Sequence, residues 1–236
     1  MKRKLICRSR FAIFAVALLV SSVLIVRAQS TSTDPLKSYT TCKVPGDLKI
    51  KEVTRRNATN NYREVETDSG KQRVSVVAGY RVMFAYPDLP YYFANVKIEQ
   101  SDPDSYVADK EILINQLKHY SSIKEAHPMI FEDKKMLNDF EHYGMDRDKI
   151  DIGDQVGIHV LFYDPAHLVV TIYFLNQSKA AFFNNRRYED IKDYRKIRDD
   201  FLNSYSECLK RVAGEAKHSR PPTSTWSGLA ISLVLC

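Results

Sequence analysis

His159, Asp164 and His167 group two imidazoles with a carboxylate on a segment of strong secondary-structure signal. A hairpin turning at Asp164-Pro165-Ala166-His167 can bring the two histidines near one another. Neutral imidazoles with a carboxylate suit zinc or iron, or acid/base work in a hydrolase. The same residues have plain structural uses: Asp164 caps a turn, His167 sits in solvent on it, and His159 faces an aromatic neighbour or a wet sheet face. No H-E-x-x-H pattern adds a second fixed ligand spacing.

Asp146, Asp148, Asp151 and Asp154 superficially suggest calcium. A calcium loop of the helix-loop-helix type needs an oxygen ligand at its fifth position and glycine at its sixth, where Ile150 and Asp151 stand. Arg147 and Lys149 lower the local charge further, so a solvated acidic turn is expected there. There is no G-x-S-x-G elbow, no glycine-rich phosphate loop and no C-x-x-C pair, and no cofactor-binding pattern is found. Asn57-Ala58-Thr59 and Asn176-Gln177-Ser178 fit the glycosylation sequon, which matters only on a eukaryotic secretory route.

Cys7 lies in a segment expected to be removed, which leaves Cys42, Cys208 and Cys236. An oxidising destination favours a disulfide, and pairing Cys42 with Cys208 would tie the start of the folded part to its last helix. A catalytic thiol would need a neighbouring base, and none is legible. Cys236 is then the odd one out.

The removable segment is residues 1–28. Lys2, Arg3, Lys4, Arg8 and Arg10 precede an uncharged run from Phe11 to Val26, and Val26-Arg27-Ala28 suits cleavage before Gln29. The run is short for a permanent anchor, so no stable membrane span is expected after cleavage. The whole chain has 35 basic and 29 acidic residues. Six of the bases and none of the acids lie in the leader, so the remainder carries 35 − 6 = 29 against 29 and is neutral. The high isoelectric point belongs to the leader and gives no support for nucleic-acid binding.

The elements that must position these residues follow from periodicity. Residues 29–41 are Ser/Thr-rich and read as a flexible tether. A short strand near Leu48-Lys49-Ile50 precedes a hairpin of Tyr62–Thr67 and Gln72–Ala78, turning at Asp68-Ser69-Gly70-Lys71. Tyr80–Ala85 and Tyr91–Glu99 are further strands, separated by a proline-bearing break. In the second, Tyr92, Ala94, Val96 and Ile98 mark an apolar face. Ser101-Asp102-Pro103-Asp104 opens an amphipathic helix over 103–121, carrying Tyr106, Lys110, Leu113, Leu117 and Tyr120 on one stripe.

Residues 128–143 suit either a helix stopped by Gly144 or a pair of strands. Ile158–Tyr163 and Leu168–Leu175 are the arms of a central hairpin buried on both faces. Tyr194, Ile197, Phe201, Tyr205, Cys208 and Val212 place a long amphipathic helix over 188–213, ending near Gly214. The 14 tyrosines and 11 phenylalanines fall mostly in such segments and read as core. Residues 214–236 form a proline-bearing linker with an apolar tail.

The expected fold is therefore α+β, an antiparallel sheet built from hairpins and packed against two amphipathic helices in two layers, within a single domain over 42–213. Its layout, with one hairpin before the 103–121 helix and the 157–175 hairpin before the last helix, resembles that of the PsbP and Mog group. The expected role is a non-catalytic domain, secreted or periplasmic, that binds a protein or small-molecule partner of the cell envelope or exterior. The alternative is an exported hydrolase or metal-dependent enzyme centred on His159, Asp164 and His167.

Overall fold

Alternating and continuous apolar segments become strands, and the residues between them take the positive φ angles that reverse the chain. The computed structural model describes residues 34–56, 62–87, 92–123, 128–148, 155–175 and 191–218. Within these, a short 3-10 helix at Lys37–Thr41 precedes β1 (Lys49–Arg56), β2 (Tyr62–Thr67), β3 (Gly70–Ser75), β4 (Ala78–Ala85) and β5 (Tyr92–Gln100). Helix α1 (Tyr106–Ser122), β6 (Met129–Leu137), β7 (Phe140–Arg147), β8 (Gln155–Tyr163), β9 (Leu168–Leu175) and α2 (Ile191–His218) follow. Seven strands form one antiparallel sheet in the order β1-β4-β5-β9-β8-β7-β6, while β2 and β3 pair separately. The α+β class and the hairpin construction are as the periodicity implies.

The ambiguous stretch resolves into strands. Asn138 and Asp139 both take positive φ, at 48° and 73°, and close a two-residue hairpin loop between β6 and β7. Gly70, at φ 91°, turns β2 into β3 as expected.

The sheet is covered on both faces, so two layers become three. On the inner face α2 packs Phe201 and Tyr205 edge-on to Phe84, with ring centroids 5.1 and 5.6 Å apart. On the outer face α1 and the β2–β3 hairpin pack over Ile158, Val160, Phe162 and Val169. Strand β8 serves both: Ile158, Val160 and Phe162 point outward, and Leu161 and Tyr163 point inward. An irregularity beside Phe84 leaves Phe93 without a partner, so Phe93 joins Ala94, Val96 and Ile98 in the inner core. The face of β5 opposite Ala94, Val96 and Ile98 is covered at Glu99, which Arg56 and Arg63 bind at 3.1 and 2.9 Å.

The ends of the domain differ from expectation. Leu36 and Tyr39 are buried in the inner core, so the tether stops short of residue 41. Its Ser/Thr-rich composition masks two anchoring side chains. Helix α2 continues through Gly214 to His218, because that glycine keeps helical backbone rather than a positive φ. Cys42 and Cys208 form a disulfide with their Cα atoms 5.6 Å apart. Among the described residues, no helix is long and apolar enough to cross a membrane. The leader, both sequons, Asp151, Asp154, Cys236 and the apolar tail lie outside the described residues.

Candidate functional site

The structure does not bring His159, Asp164 and His167 together. Asp164 starts a 3-10 turn between β8 and β9, and its carboxylate accepts hydrogen bonds from the Tyr106 hydroxyl at 2.9 Å and the Lys110 ammonium at 3.0 Å. These hold its carboxyl below the usual range, against the opposing effect of burial. His167 takes a left-handed conformation at the end of that turn, with its ring 5.1 Å from Tyr106. His159 points to the inner face from the middle of β8 and is fully buried. Asp164 thus ties the turn to α1, while His159 belongs to a different group.

That group is His142, Asp146 and His159 on β7 and β8, Glu132 on β6, and Tyr194 and Arg198 on α2. Along β7, Phe140, His142, Gly144 and Asp146 share the inner face by strand alternation. His159 Nε2 lies 3.1 Å from Asp146 Oδ1, and His159 Nδ1 lies 2.8 Å from His142 Nε2. A carboxylate only accepts, so His159 carries its proton on Nε2 and accepts on Nδ1 from the Nε2–H of His142. The Tyr194 hydroxyl donates to Asp146 Oδ1 at 2.6 Å. Arg198 forms ion pairs with Asp146 Oδ2, with Glu132 at 2.9 Å and with Asp199 at 2.7 Å.

Glycines make the room. A Cβ on Gly144 would overlap the His159 ring, and one on Gly157 would overlap the Asp146 carboxylate and the Tyr194 hydroxyl. Both imidazoles are held below the ordinary histidine range. Burial is the main cause for each, and the neighbouring imidazole adds to it for His142. Glu132 is held at about 2, because Arg198 and His159 outweigh its burial.

Glu132, His142 and His159 place potential ligand atoms within 4.8 Å of one another, so a metal is the obvious reading. The ring geometry argues otherwise. Ring centroids lie 5.1 Å apart with planes 8° from parallel, a separation equal to the 2.8 Å N···N distance plus two ring radii. The rings are therefore edge to edge in one plane, and the facing nitrogens point at each other. An ion between them would sit 1.4 Å from each nitrogen, half of 2.8 Å, against about 2.0 Å for a zinc–imidazole bond. The Arg198 guanidinium, already among the carboxylates, would repel a cation as well. The residues do not fit a metal; they form a hydrogen-bonded relay that fastens α2 to the sheet. His142 is 2% exposed and His159 0%, so neither imidazole reaches a substrate in solution. Asp146, expected in a solvated acidic turn, is a buried member of this relay.

The other face of the same strands holds a cavity of about 440 Å³ between α1 and the sheet. Leu113, Leu117 and Tyr120 of α1 form its roof, and Met145, Ile158, Val160, Thr171 and Tyr173 its floor, with Met129 and Arg147 at one end. Two polar atoms in this wall are buried without a hydrogen-bond partner, Thr171 Oγ1 and Arg147 Nε. Thr171 was not singled out in the sequence, and Arg147 figured there only as a charge that weakens the acidic turn. The available signal was Asn138-Asp139 flanked by residues of alternating character, which identifies β7 and hence the outward set Tyr143, Met145 and Arg147.

Compared with known proteins, the chain matches no family model, no curated protein and no solved structure. None of these comparisons supports the layout resemblance to the PsbP and Mog group.

Proposed function

We propose that the chain is an exported, non-catalytic binding domain whose ligand is a small, largely apolar molecule held between α1 and the outer face of the sheet. The observation that carries this reading is the 440 Å³ cavity. Small-molecule sites occupy about 300–1,000 Å³, with mostly apolar walls and a few placed polar groups. The wall fits that description: mostly aliphatic and aromatic side chains surround the unpartnered Thr171 hydroxyl, the Arg147 guanidinium and the Gln116 carboxamide. Export is supported by the basic cap and apolar run at the N-terminus and by the Cys42–Cys208 disulfide, a bond that persists in oxidising compartments. A catalytic reading centred on His159, Asp164 and His167 lacks a shared site, because His159 is engaged with His142 and Asp146 while Asp164 is engaged with Tyr106 and Lys110.

Titration with Nile red, an uncharged apolar dye, tests the proposal. The folded protein is expected to bind it saturably, and Met129→Trp, which fills the partly buried end of the cavity, to weaken binding by about tenfold or more at an unchanged thermal midpoint. Absence of saturable binding, or equal binding by the Trp variant, would overturn the assignment.

A further inference from the structure

Thr171 and Arg147 lie at opposite ends of the cavity floor. Thr171 on β9 pairs with Val160 on β8, and Val160 pairs with Tyr143 on β7. Arg147 is four residues further along β7. With a rise of about 3.4 Å per residue and about 4.8 Å between strands, the two Cα atoms are roughly 17 Å apart. Such a span is too long for both side chains to serve one small polar group. Each is an anchor for a different end of the same occupant.

Their chemistry differs. Thr171 is 3% exposed, and its hydroxyl has no partner. A buried hydroxyl without a hydrogen bond is costly, and a ligand group placed against it removes that cost. Arg147 brings a cation to the other end, where its Nε is buried and unpartnered. With no aspartate or glutamate lining the cavity among the described residues, this guanidinium selects a planar anion, and a carboxylate matches its fork of donors. Between the two anchors the floor is Met145, Ile158 and Val160, with Tyr173 beside them, whose hydroxyl already accepts from the Lys97 ammonium at 3.0 Å.

We infer that the occupant is an elongated aliphatic carboxylate with its head at Arg147 and a hydrogen-bonding group, such as a hydroxyl, at the end that reaches Thr171. This rests on the cavity being a ligand site, and it adds the class of ligand and its direction. Nothing in it involves the relay on the opposite face.

Calorimetric titration with dodecanoate, its methyl ester and ω-hydroxydodecanoate tests both ends, with Nile red binding as the control that each variant keeps a folded, open cavity. Dodecanoate is expected to bind about tenfold or more tighter than the ester, since a charge-assisted hydrogen bond is worth at least that. Arg147→Gln should remove this difference while leaving Nile red binding in place. The hydroxylated acid should bind several-fold tighter than dodecanoate, and Thr171→Val, which keeps the side-chain shape, should abolish that preference alone. Equal affinity for acid and ester, or an acid preference that survives Arg147→Gln, would overturn the head-group assignment. A hydroxyl preference that survives Thr171→Val, or none in the parent protein, would overturn the far end. If Nile red binds and the acids bind no better than the ester, the cavity is a ligand site of another class. If neither the dye nor any of the three binds, the cavity reading fails with it.

Discussion

Gly144 and Gly157 face His159 and Asp146 across the β7–β8 ladder, and each leaves the space that its partner's side chain fills. Gly144→Ala should therefore destabilise the fold by about 1–3 kcal/mol through overpacking, measurable as a lower urea midpoint at unchanged slope. Arg198→Met leaves the buried Asp146 carboxylate without its cation and should cost about 3–5 kcal/mol. A loss under about 1 kcal/mol would mean that the ion pairs contribute little. The relay also sets a pH dependence. With both imidazoles depressed in the folded state, the unfolded chain takes up protons below pH 6.5 that the folded chain does not. Stability should then fall as pH drops from 6.5, by about 1.4 kcal/mol per pH unit for each histidine. Glu132 adds a second decline, as pH falls from its unfolded value of 4.5 toward about 2. Urea midpoints across this range should show the upper decline flattened in His142→Gln. An unchanged slope would place it in other groups.

Among the elements, the β6–β7 hairpin decides where both the relay and the cavity lie, and it was the least legible. Met136, Leu137, Phe140 and Tyr143 are spaced as a helix would space them, and short apolar runs do not separate helix from strand. Asn138-Asp139 settles it physically, since those residue types tolerate the left-handed backbone that a two-residue loop requires. The loop also docks, with Asn138 Nδ2 donating to Ser206 Oγ at 2.9 Å and to the Asn203 carbonyl at 3.1 Å. Asp139→Gly relieves the left-handed position and should raise stability by about 1 kcal/mol. The Lys210–Asp139 pair that it removes is exposed and contributes little. A lower thermal midpoint would show that the pair matters more than the backbone. The β8–β9 hairpin and α1 were legible because their patterns are long and bounded by Asp-Pro signals. The His159–Asp164–His167 grouping failed because neighbours in sequence along a strand and its turn point to different faces.

At the scale of the whole molecule, two meanders, β1-β4-β5 and β9-β8-β7-β6, join through the β5–β9 pairing. Hairpins are local and readable, whereas the choice of which edges join depends on contacts far apart in sequence. The disulfide was readable from the expected export and the cysteine count, and its span of 166 residues closes nearly the whole domain. Replacing Cys42 and Cys208 with serine should destabilise by up to about 5 kcal/mol on the chain-entropy account, seen as a lower urea midpoint matched by reducing the parent protein. The second meander keeps its polar, closed relay against α2 and its apolar, open cavity against α1. The methyl groups of methionine report on this division, because Met129 and Met145 line the cavity while Met83 and Met136 do not. With methyl-labelled methionine, titration of dodecanoate to saturation should move the Met129 and Met145 resonances and leave those of Met83 and Met136 in place. Binding that leaves Met129 and Met145 unmoved would contradict the assignment of function to this cavity.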